Sequence, residues 1–87
     1  MRYKLLIKKQ AKKALESLAR TDRNRIAEKI TLLGENLDNP SLDIKPLQGS
    51  ENLHRLRVGQ WRIIFDRDDE VRIIAIEKIK PRGGAYK

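Results

Sequence analysis

The sequence contains no cysteine, so the fold cannot rely on disulfide bonds, and a zinc site with thiolate ligands is excluded. It also lacks a long apolar run near the N-terminus. Only three consecutive residues there, at positions 5–7, are apolar, which is too short for a signal-peptide core or a membrane span. We therefore expect a cytoplasmic protein with no membrane partner.

Recognisable cofactor chemistry is absent as well. The 87 residues include a single histidine, His54, and show no metal-ligand cluster, nucleophile elbow or phosphate-binding glycine loop. We expect neither a metal nor a small-molecule cofactor. The length predicts one domain, residues 1–87.

Positive charge is abundant. Twenty Lys and Arg residues against twelve Asp and Glu give a formal net charge of +8. On so small a domain, this excess suggests an acidic partner. The candidates are nucleic acid, an acidic protein segment and an anionic membrane. The membrane is least favoured, because no helix face rich in Trp or Phe accompanies the charge. The alternative is that the charge serves only solubility.

Hydrophobic periodicity predicts a strand followed by two helices. Residues 2–8 alternate as a strand does, and apolar residues then follow helical spacing over residues 9–19. Thr21 or Asp22 is the predicted N-cap of a second helix, which should end near Leu37, before a segment of helix-breaking residues. The very short connection predicts an antiparallel helical pair.

The second half of the chain predicts three consecutive strands. Residues 41–50 are predicted to form a loop, residues 53–65 a β-hairpin with a glycine turn, and residues 71–79 a strand after a charged turn. This order (β-α-α-β-β-β) predicts an α+β fold. In it, a helical hairpin packs on one face of a mostly antiparallel four-stranded sheet and leaves the other face open.

The hairpin places basic side chains on that open face. Leu56 and Val58 alternate with Arg55 and Arg57, and Arg62 lies on the paired strand. Residues i and i+2 of a strand project about 6–7 Å apart, a spacing comparable to that of successive phosphates. Guanidinium groups bind phosphate bidentately and stay charged. With no acid among them, the three arginines are interpreted as a phosphate-binding surface rather than a merely solubilising one.

The last ten residues, 78–87, add further cations and one aromatic ring. Lys80, Arg82 and Tyr86 could fold over the same sheet face, where the Tyr86 ring could stack on a base. The alternative is a frayed terminus without function.

His54 is a natural candidate for proton transfer, since histidine titrates near neutrality. Strand alternation, however, puts His54 on the Leu56 side, toward the helices, which favours a partly buried structural role. Asp66 falls on the arginine face at the end of the hairpin and is interpreted as an ion-pair or turn residue. The hairpin therefore offers no obvious general base.

Over essentially its whole length, the chain resembles the RelE/ParE superfamily of bacterial and archaeal toxins, specifically its RelE-like branch. The likeness is strongest in LHRLRVGQWRIIF at residues 53–65 and KPRGGAYK at residues 80–87. It implies a toxin of a type II toxin–antitoxin pair that cleaves messenger RNA in the ribosomal A site. The implied partners are a cognate antitoxin, the ribosome and mRNA.

The resemblance also implies which residues act. The catalytic set consists of Arg55, Arg57, Arg62, Arg82 and Tyr86, and the expected RNA-binding residues are Lys78, Lys80 and Lys87. In the implied reaction, the ribose 2′-OH attacks the adjacent phosphate and leaves a 2′,3′-cyclic phosphate. The chain departs from the family pattern at Gln60-Trp61 and at Gly83-Gly84, and we expect these departures to tune rather than abolish activity.

Two other functions stay open. A ParE-like member of the superfamily would poison DNA gyrase by protein binding, but such chains lack the arginine and tyrosine set. A non-catalytic member would bind RNA or protein without cleaving. The arginine and tyrosine set favours the ribonuclease.

Overall fold

The structure, a computed structural model, describes residues 2–49 and 51–81. Two helices and five strands follow one another as β1 (Lys4–Ile7), α1 (Lys9–Glu16), α2 (Arg20–Glu35), β2 (Asp43–Pro46), β3 (Leu53–Val58), β4 (Trp61–Asp68) and β5 (Ile73–Pro81). The strands form one sheet in the order β1-β5-β4-β3-β2. β1 runs parallel to β5, and the other neighbouring strands are antiparallel.

The predicted α+β class is confirmed, and the sheet has one strand more than predicted. The extra strand, β2, lies within the segment expected to be a loop and pairs with β3, so that Ile44 faces Leu56. β2 has only four residues and ends in Pro46. A proline is tolerated at a sheet edge, where its missing N–H breaks no ladder.

The helices begin and end close to the predicted positions. α1 stops at Glu16, where the Ser17 hydroxyl donates to the Ala14 carbonyl oxygen at 2.7 Å. The predicted N-cap of α2 is wrong: Ala19 occupies that position and contributes no side-chain hydrogen bond. Asp22 instead lies in the first turn of α2, where a carboxylate interacts favourably with the helix dipole.

One apolar layer between the helices and the sheet forms the core. Its residues are buried side chains from α1, α2, β3, β4 and β5, namely Ala11, Ile26, Ile30, Leu33, Leu56, Val58, Ile63, Phe65, Ile74, Ile76 and Ile79. The strand members point to one sheet face, so the alternate residues must occupy the other face. No described helix or strand covers that second face, which we call the open face. None of the described helices is long and apolar enough to cross a membrane.

A two-residue turn joins β3 to β4 and aligns them. Val58 pairs with Trp61, and Gly59 between them has φ of 59°. This left-handed conformation is one that glycine adopts without the steric cost of a Cβ atom. The turn therefore sets the register in which Arg57 and Arg62 meet.

Candidate nucleic-acid interface

A row of cations crosses three strands on the open face. Arg57 of β3 lies opposite Arg62 of β4, and Arg62 lies opposite Lys80 of β5. We call these three residues the basic row. Directly opposed residues on antiparallel strands have Cβ atoms about 4.5–5.5 Å apart, and like charges at that separation destabilise a sheet. Asp43 of β2 stands opposite Arg57 on its other side, and a phosphate bound over the row would offset repulsion between the cations.

A second row lies one step further along the strands. Arg55 stands opposite Lys45 of β2 and Ile64 of β4, and Ile64 stands opposite Lys78 of β5. The structure thus brings five of the predicted site residues onto one face, namely Arg55, Arg57, Arg62, Lys78 and Lys80.

Arg55 is paired with an acid. Its Nη2 atom lies 3.2 Å from Oδ1 of Asp43, and its side chain is only 11% exposed. The expectation that no acid lies among the arginines is therefore wrong. Asp43 belongs to β2, in the segment that the sequence pattern predicted to be a loop. The alternation of apolar Leu42 and Ile44 with polar Asp43 was the signal that could have revealed this strand.

An apolar-floored groove of about 300 Å³ opens beside the basic row. It is lined by Leu47, Leu53, Ile64, Glu77, Lys78 and Lys80. Apolar side chains next to ammonium groups suit a nucleobase whose phosphate is held nearby. No local sequence pattern reveals this groove, because its apolar residues come from three separate segments that only the folded sheet brings together.

His54 lies on the sheet face that alternation predicted and is half-buried, as expected. Its ring stacks on Phe65 with centroids 5.5 Å apart and an interplanar angle of 19°. Its Nδ1 atom lies 3.0 Å from the carbonyl oxygen of Asn52, so the tautomer with a proton on Nδ1 can donate there. The side chain is half-buried on the helix side of β3, away from the basic row.

Two carboxylates lie near the basic row: Asp43 of β2 stands opposite Arg57, and Glu77 lines the groove together with Lys80. Asp66 lies opposite Leu53 on the open face, four residues and hence about 13 Å along β4 from Arg62. In residues 2–49 and 51–81, no group of three or more His, Asp or Glu side chains could hold a metal ion.

A separate polar cluster lies at the turn that joins β4 to β5. Oδ1 of Asp69 accepts hydrogen bonds from Nε of Arg67 and from the Tyr3 hydroxyl, both at 2.7 Å. These bonds, that from Arg67 foremost, hold the pKa of the Asp69 carboxyl below its ordinary value. The bond to Asp69 and the residual burial raise the pKa of Tyr3. The cluster ties the N-terminal segment to the turn and is remote from the basic row.

Three predicted site residues, Arg82, Tyr86 and Lys87, lie outside the described residues. The last described residue, Pro81, stands opposite Trp61 at the end of β5. It directly follows Lys80 of the basic row, so the chain enters the C-terminal segment from that row.

Comparison with known proteins gives a family match over most of the chain. Residues 5–86 match the family described as "ParE toxin of type II toxin-antitoxin system, parDE". A protein of Methanocaldococcus jannaschii, named "Putative toxin RelE1", is 35% identical over 88 aligned residues, which cover 100% of this chain and 98% of that protein.

Solved structures give the same likeness. The crystal structure of the archaeal RelE–RelB complex from Pyrococcus horikoshii OT3 contains a chain that is 34% identical to this one, with a TM-score of 0.83. The match covers 98% of this chain and 100% of that chain. The RelB–RelE antitoxin–toxin complex from Methanococcus jannaschii matches at 27% identity and a TM-score of 0.79, covering 94% of this chain and 95% of that chain.

Proposed function

Since this chain belongs to the RelE/ParE family and is a RelE-like toxin of a type II toxin–antitoxin system, we propose that it is a ribosome-dependent endoribonuclease that cleaves messenger RNA in the A site. The observation that carries this proposal is the basic row, Arg57, Arg62 and Lys80, in register across three strands. Three cations side by side on the open face can neutralise phosphates of an RNA backbone, and the two guanidinium groups can bind a phosphate bidentately.

The reaction proposed is an internal transesterification. The ribose 2′-oxygen attacks the adjacent phosphorus and gives up its proton, the bond to the 5′-oxygen breaks, and that oxygen takes up a proton. The products are a 2′,3′-cyclic phosphate and a free 5′-hydroxyl. Negative charge accumulates on the phosphorane in between, so fixed cations stabilise the transition state more than the bound substrate.

The site residues divide these tasks. Arg62, at the centre of the basic row, stabilises the phosphorane together with Arg82, which follows the end of β5. Arg57 and Arg55 hold the backbone, and Lys78, Lys80 and Lys87 contribute further phosphate contacts. Tyr86 orients the base or the ribose. Because Arg55 is paired with Asp43, its guanidinium is held in one place and is less available to phosphate than it would be without that carboxylate.

Proton transfer is the step of the reaction to which the residues of this chain contribute least. Arginine is a poor base at neutral pH, and His54 faces the helices. The ribosome would therefore supply substrate positioning and part of the proton handling. This requirement agrees with a toxin that acts in the cytoplasm on translating ribosomes rather than on free RNA.

The proposed regulator is a cognate antitoxin. The solved relatives include RelE–RelB complexes, and the open face here combines cations with an apolar-floored groove. An acidic amphipathic segment of the antitoxin would satisfy both features and would cover the basic row. Co-purification with the product of a neighbouring gene tests this partner, and a stable complex formed only with an unrelated protein counts against it.

A translating extract provides the decisive test of the nuclease. We expect the purified chain to generate new messenger 3′ ends within ribosome-occupied codons, and Arg62→Ala to generate few. The same RNA without ribosomes should stay intact. Messenger that stays intact with the wild-type chain, although translation elongation is under way, would refute the proposal.

Gyrase poisoning is the second candidate, because the matched family is described by its ParE toxin. A supercoiling assay run in parallel separates the two functions. Inhibited gyrase together with intact messenger would favour the ParE-like activity. Cleaved messenger together with unaffected supercoiling would favour the ribonuclease.

A further inference from the structure

The alternation of buried residues along β5 changes phase at Glu77. Ile74 and Ile76 are both fully buried, two residues apart, but the next buried residue is Ile79, three residues further on. The register with β4 shows the reason. Phe65 pairs with Ile76 and Ile64 pairs with Lys78, so Glu77 has no counterpart on β4. Glu77 is therefore the extra residue of a β-bulge.

The bulge decides which side of the sheet receives the two lysines of β5. In an uninterrupted strand, Lys78 and Lys80 would follow Ile76 onto the helix face, because side chains alternate with a period of two. The extra residue shifts them to the open face, where Lys78 stands opposite Ile64 and Lys80 opposite Arg62. One inserted residue thus completes the basic row.

A side chain from α1 holds this bulge. Nε2 of Gln10 donates a hydrogen bond to the carbonyl oxygen of Glu77 at 3.0 Å. A bulged residue leaves the regular ladder, so its carbonyl needs another partner when the strand is packed against a helix. Gln10 also lines a groove of about 310 Å³ between α1 and β5, together with Ala14, Lys78, Ile79 and Lys80. Gln10 therefore lies where it can control the placement of both lysines.

We propose that Gln10 is a positioning residue for RNA binding, which fixes the bulge at Glu77 and thereby keeps Lys78 and Lys80 beside Arg62. This inference rests on the proposed function, since it assumes that the basic row binds RNA. Gln10 itself touches no RNA. Its effect passes through the backbone of β5.

Binding to a short single-stranded 2′-O-methyl RNA, which lacks the attacking hydroxyl, isolates this role from cleavage. We compare Gln10→Met, which keeps the length of the side chain but removes the donor, with Gln48→Met at an exposed loop glutamine. We expect Gln10→Met to bind about three- to tenfold more weakly at low salt, and Gln48→Met to bind as the wild type does.

The salt dependence separates positioning from general destabilisation. Each lysine removed from a phosphate lowers the slope of log affinity against log salt by about 0.7 for single strands. The slope should therefore be smaller than that of the wild type by about 1.4 in the double variant Lys78→Met/Lys80→Met. In Gln10→Met it should be smaller by a part of that amount. Adding Gln10→Met to the double variant should change nothing further. If Gln10→Met costs as much affinity in that background as in the wild type, Gln10 does not act through the lysines and the inference is wrong.

A rescue variant tests the hydrogen-bond donor at residue 10 itself. It also keeps the experiment informative if Gln10→Met fails to fold. Gln10→Lys retains an N–H donor, and Gln48→Lys adds the same charge elsewhere. Equal RNA affinity of these two variants supports the inference. The inference is wrong if Gln10→Lys binds the RNA more weakly than Gln48→Lys does. It is also wrong if folded Gln10→Met binds the RNA with the affinity and the salt dependence of the wild type. RNA binding that depends on Gln10 in a chain that cleaves no messenger would refute the nuclease while leaving the positioning role intact.

Discussion

Arg57 and Arg62 lie directly opposite each other on β3 and β4, on the sheet face that no described helix covers. Directly opposed like charges in a sheet repel, so the contact between the two guanidinium groups does not itself stabilise the fold. A local feature that works against stability is a common mark of a functional site. The pair is therefore the part of the fold that most directly indicates an anionic ligand.

Replacing Arg57 tests this interpretation. We expect Arg57→Met to reduce messenger cleavage roughly 10- to 100-fold, because Arg57 holds the RNA backbone and a hydrogen bond to a charged group is worth about 1.5–3 kcal/mol. Stability should stay the same or rise by less than about 1 kcal/mol, because a repulsive pair is removed. Cleavage is measured in the translating extract and stability by denaturant unfolding. Arg20→Met, at an exposed arginine of α2, is the control, and equal activity of the two variants would contradict the assignment.

The ion pair between Asp43 and Arg55 gives a second prediction. Asp43→Asn removes the carboxylate that pairs with Arg55 and makes that guanidinium available to phosphate. We expect RNA affinity at low salt to rise roughly two- to tenfold, while stability falls by about 1–3 kcal/mol, because the Arg55 side chain, only 11% exposed, loses its charged partner. Asp38→Asn changes the charge equally in the preceding loop. A rise of the same size in Asp38→Asn would show that only net charge matters.

The cluster around Asp69 predicts a pH dependence of stability. The hydrogen bonds from Arg67 and Tyr3 hold the pKa of Asp69 below its ordinary value of 3.8. A lowered folded-state pKa stabilises the protein above the unfolded-state pKa, and this contribution is lost as the pH falls through the folded-state value. The free energy of unfolding of the wild type should therefore exceed that of Asp69→Asn near neutrality, and the difference should shrink in acid.

The controls for this prediction use neighbouring residues. Glu70→Gln makes the same charge change beside Asp69 and should show a smaller difference. The pKa of Tyr3 is raised above its ordinary value of 10.0, so the contribution of its hydroxyl is present below that pH and lost at higher pH. Tyr3→Phe should accordingly differ from the wild type at neutral pH and converge with it in strong base. A gap that stays constant from neutral to acidic pH in Asp69→Asn would contradict the cluster's role.

His54 provides a test of a residue that is structural rather than catalytic. Its stacking on Phe65 should be reproduced by a phenylalanine, so we expect His54→Phe to retain cleavage within about threefold. His54→Ala should lower the free energy of unfolding by about 1–2 kcal/mol, since it removes an aromatic contact and leaves a gap. A large loss of cleavage in stable His54→Phe, with its pH dependence near neutrality abolished, would assign His54 to proton transfer instead.

The local sequence pattern correctly predicted which face of its strand or helix a side chain occupies. The alternation in residues 53–65 separates His54, Leu56 and Val58 from Arg55 and Arg57, and the structure has the same division. Helical spacing identifies Ile26, Ile30 and Leu33 as core residues, and all three are buried. Periodicity predicts these features because burial of an apolar side chain depends mainly on which face it occupies.

The local sequence pattern did not predict which strands pair with each other or which side chains that pairing brings together. β2 is short and ends in a proline, so its local signal is weak, and only its ladder with β3 reveals that Asp43 reaches Arg55. The parallel pairing of β1 with β5 joins residues about seventy positions apart, and no local periodicity contains such a contact. The groove beside the basic row is likewise assembled from distant segments.

The sequence by itself determined the class of fold, the two faces of the hairpin and the cationic character of the open face, because these follow from the order of polar and apolar residues. Only the tertiary structure decided how those cations are arranged. The register puts Arg57, Arg62 and Lys80 in one row, Asp43 neutralises Arg55, and the bulge at Glu77 turns two lysines toward the open face. Register and bulges depend on hydrogen bonds between strands, which a single strand's own residues do not specify.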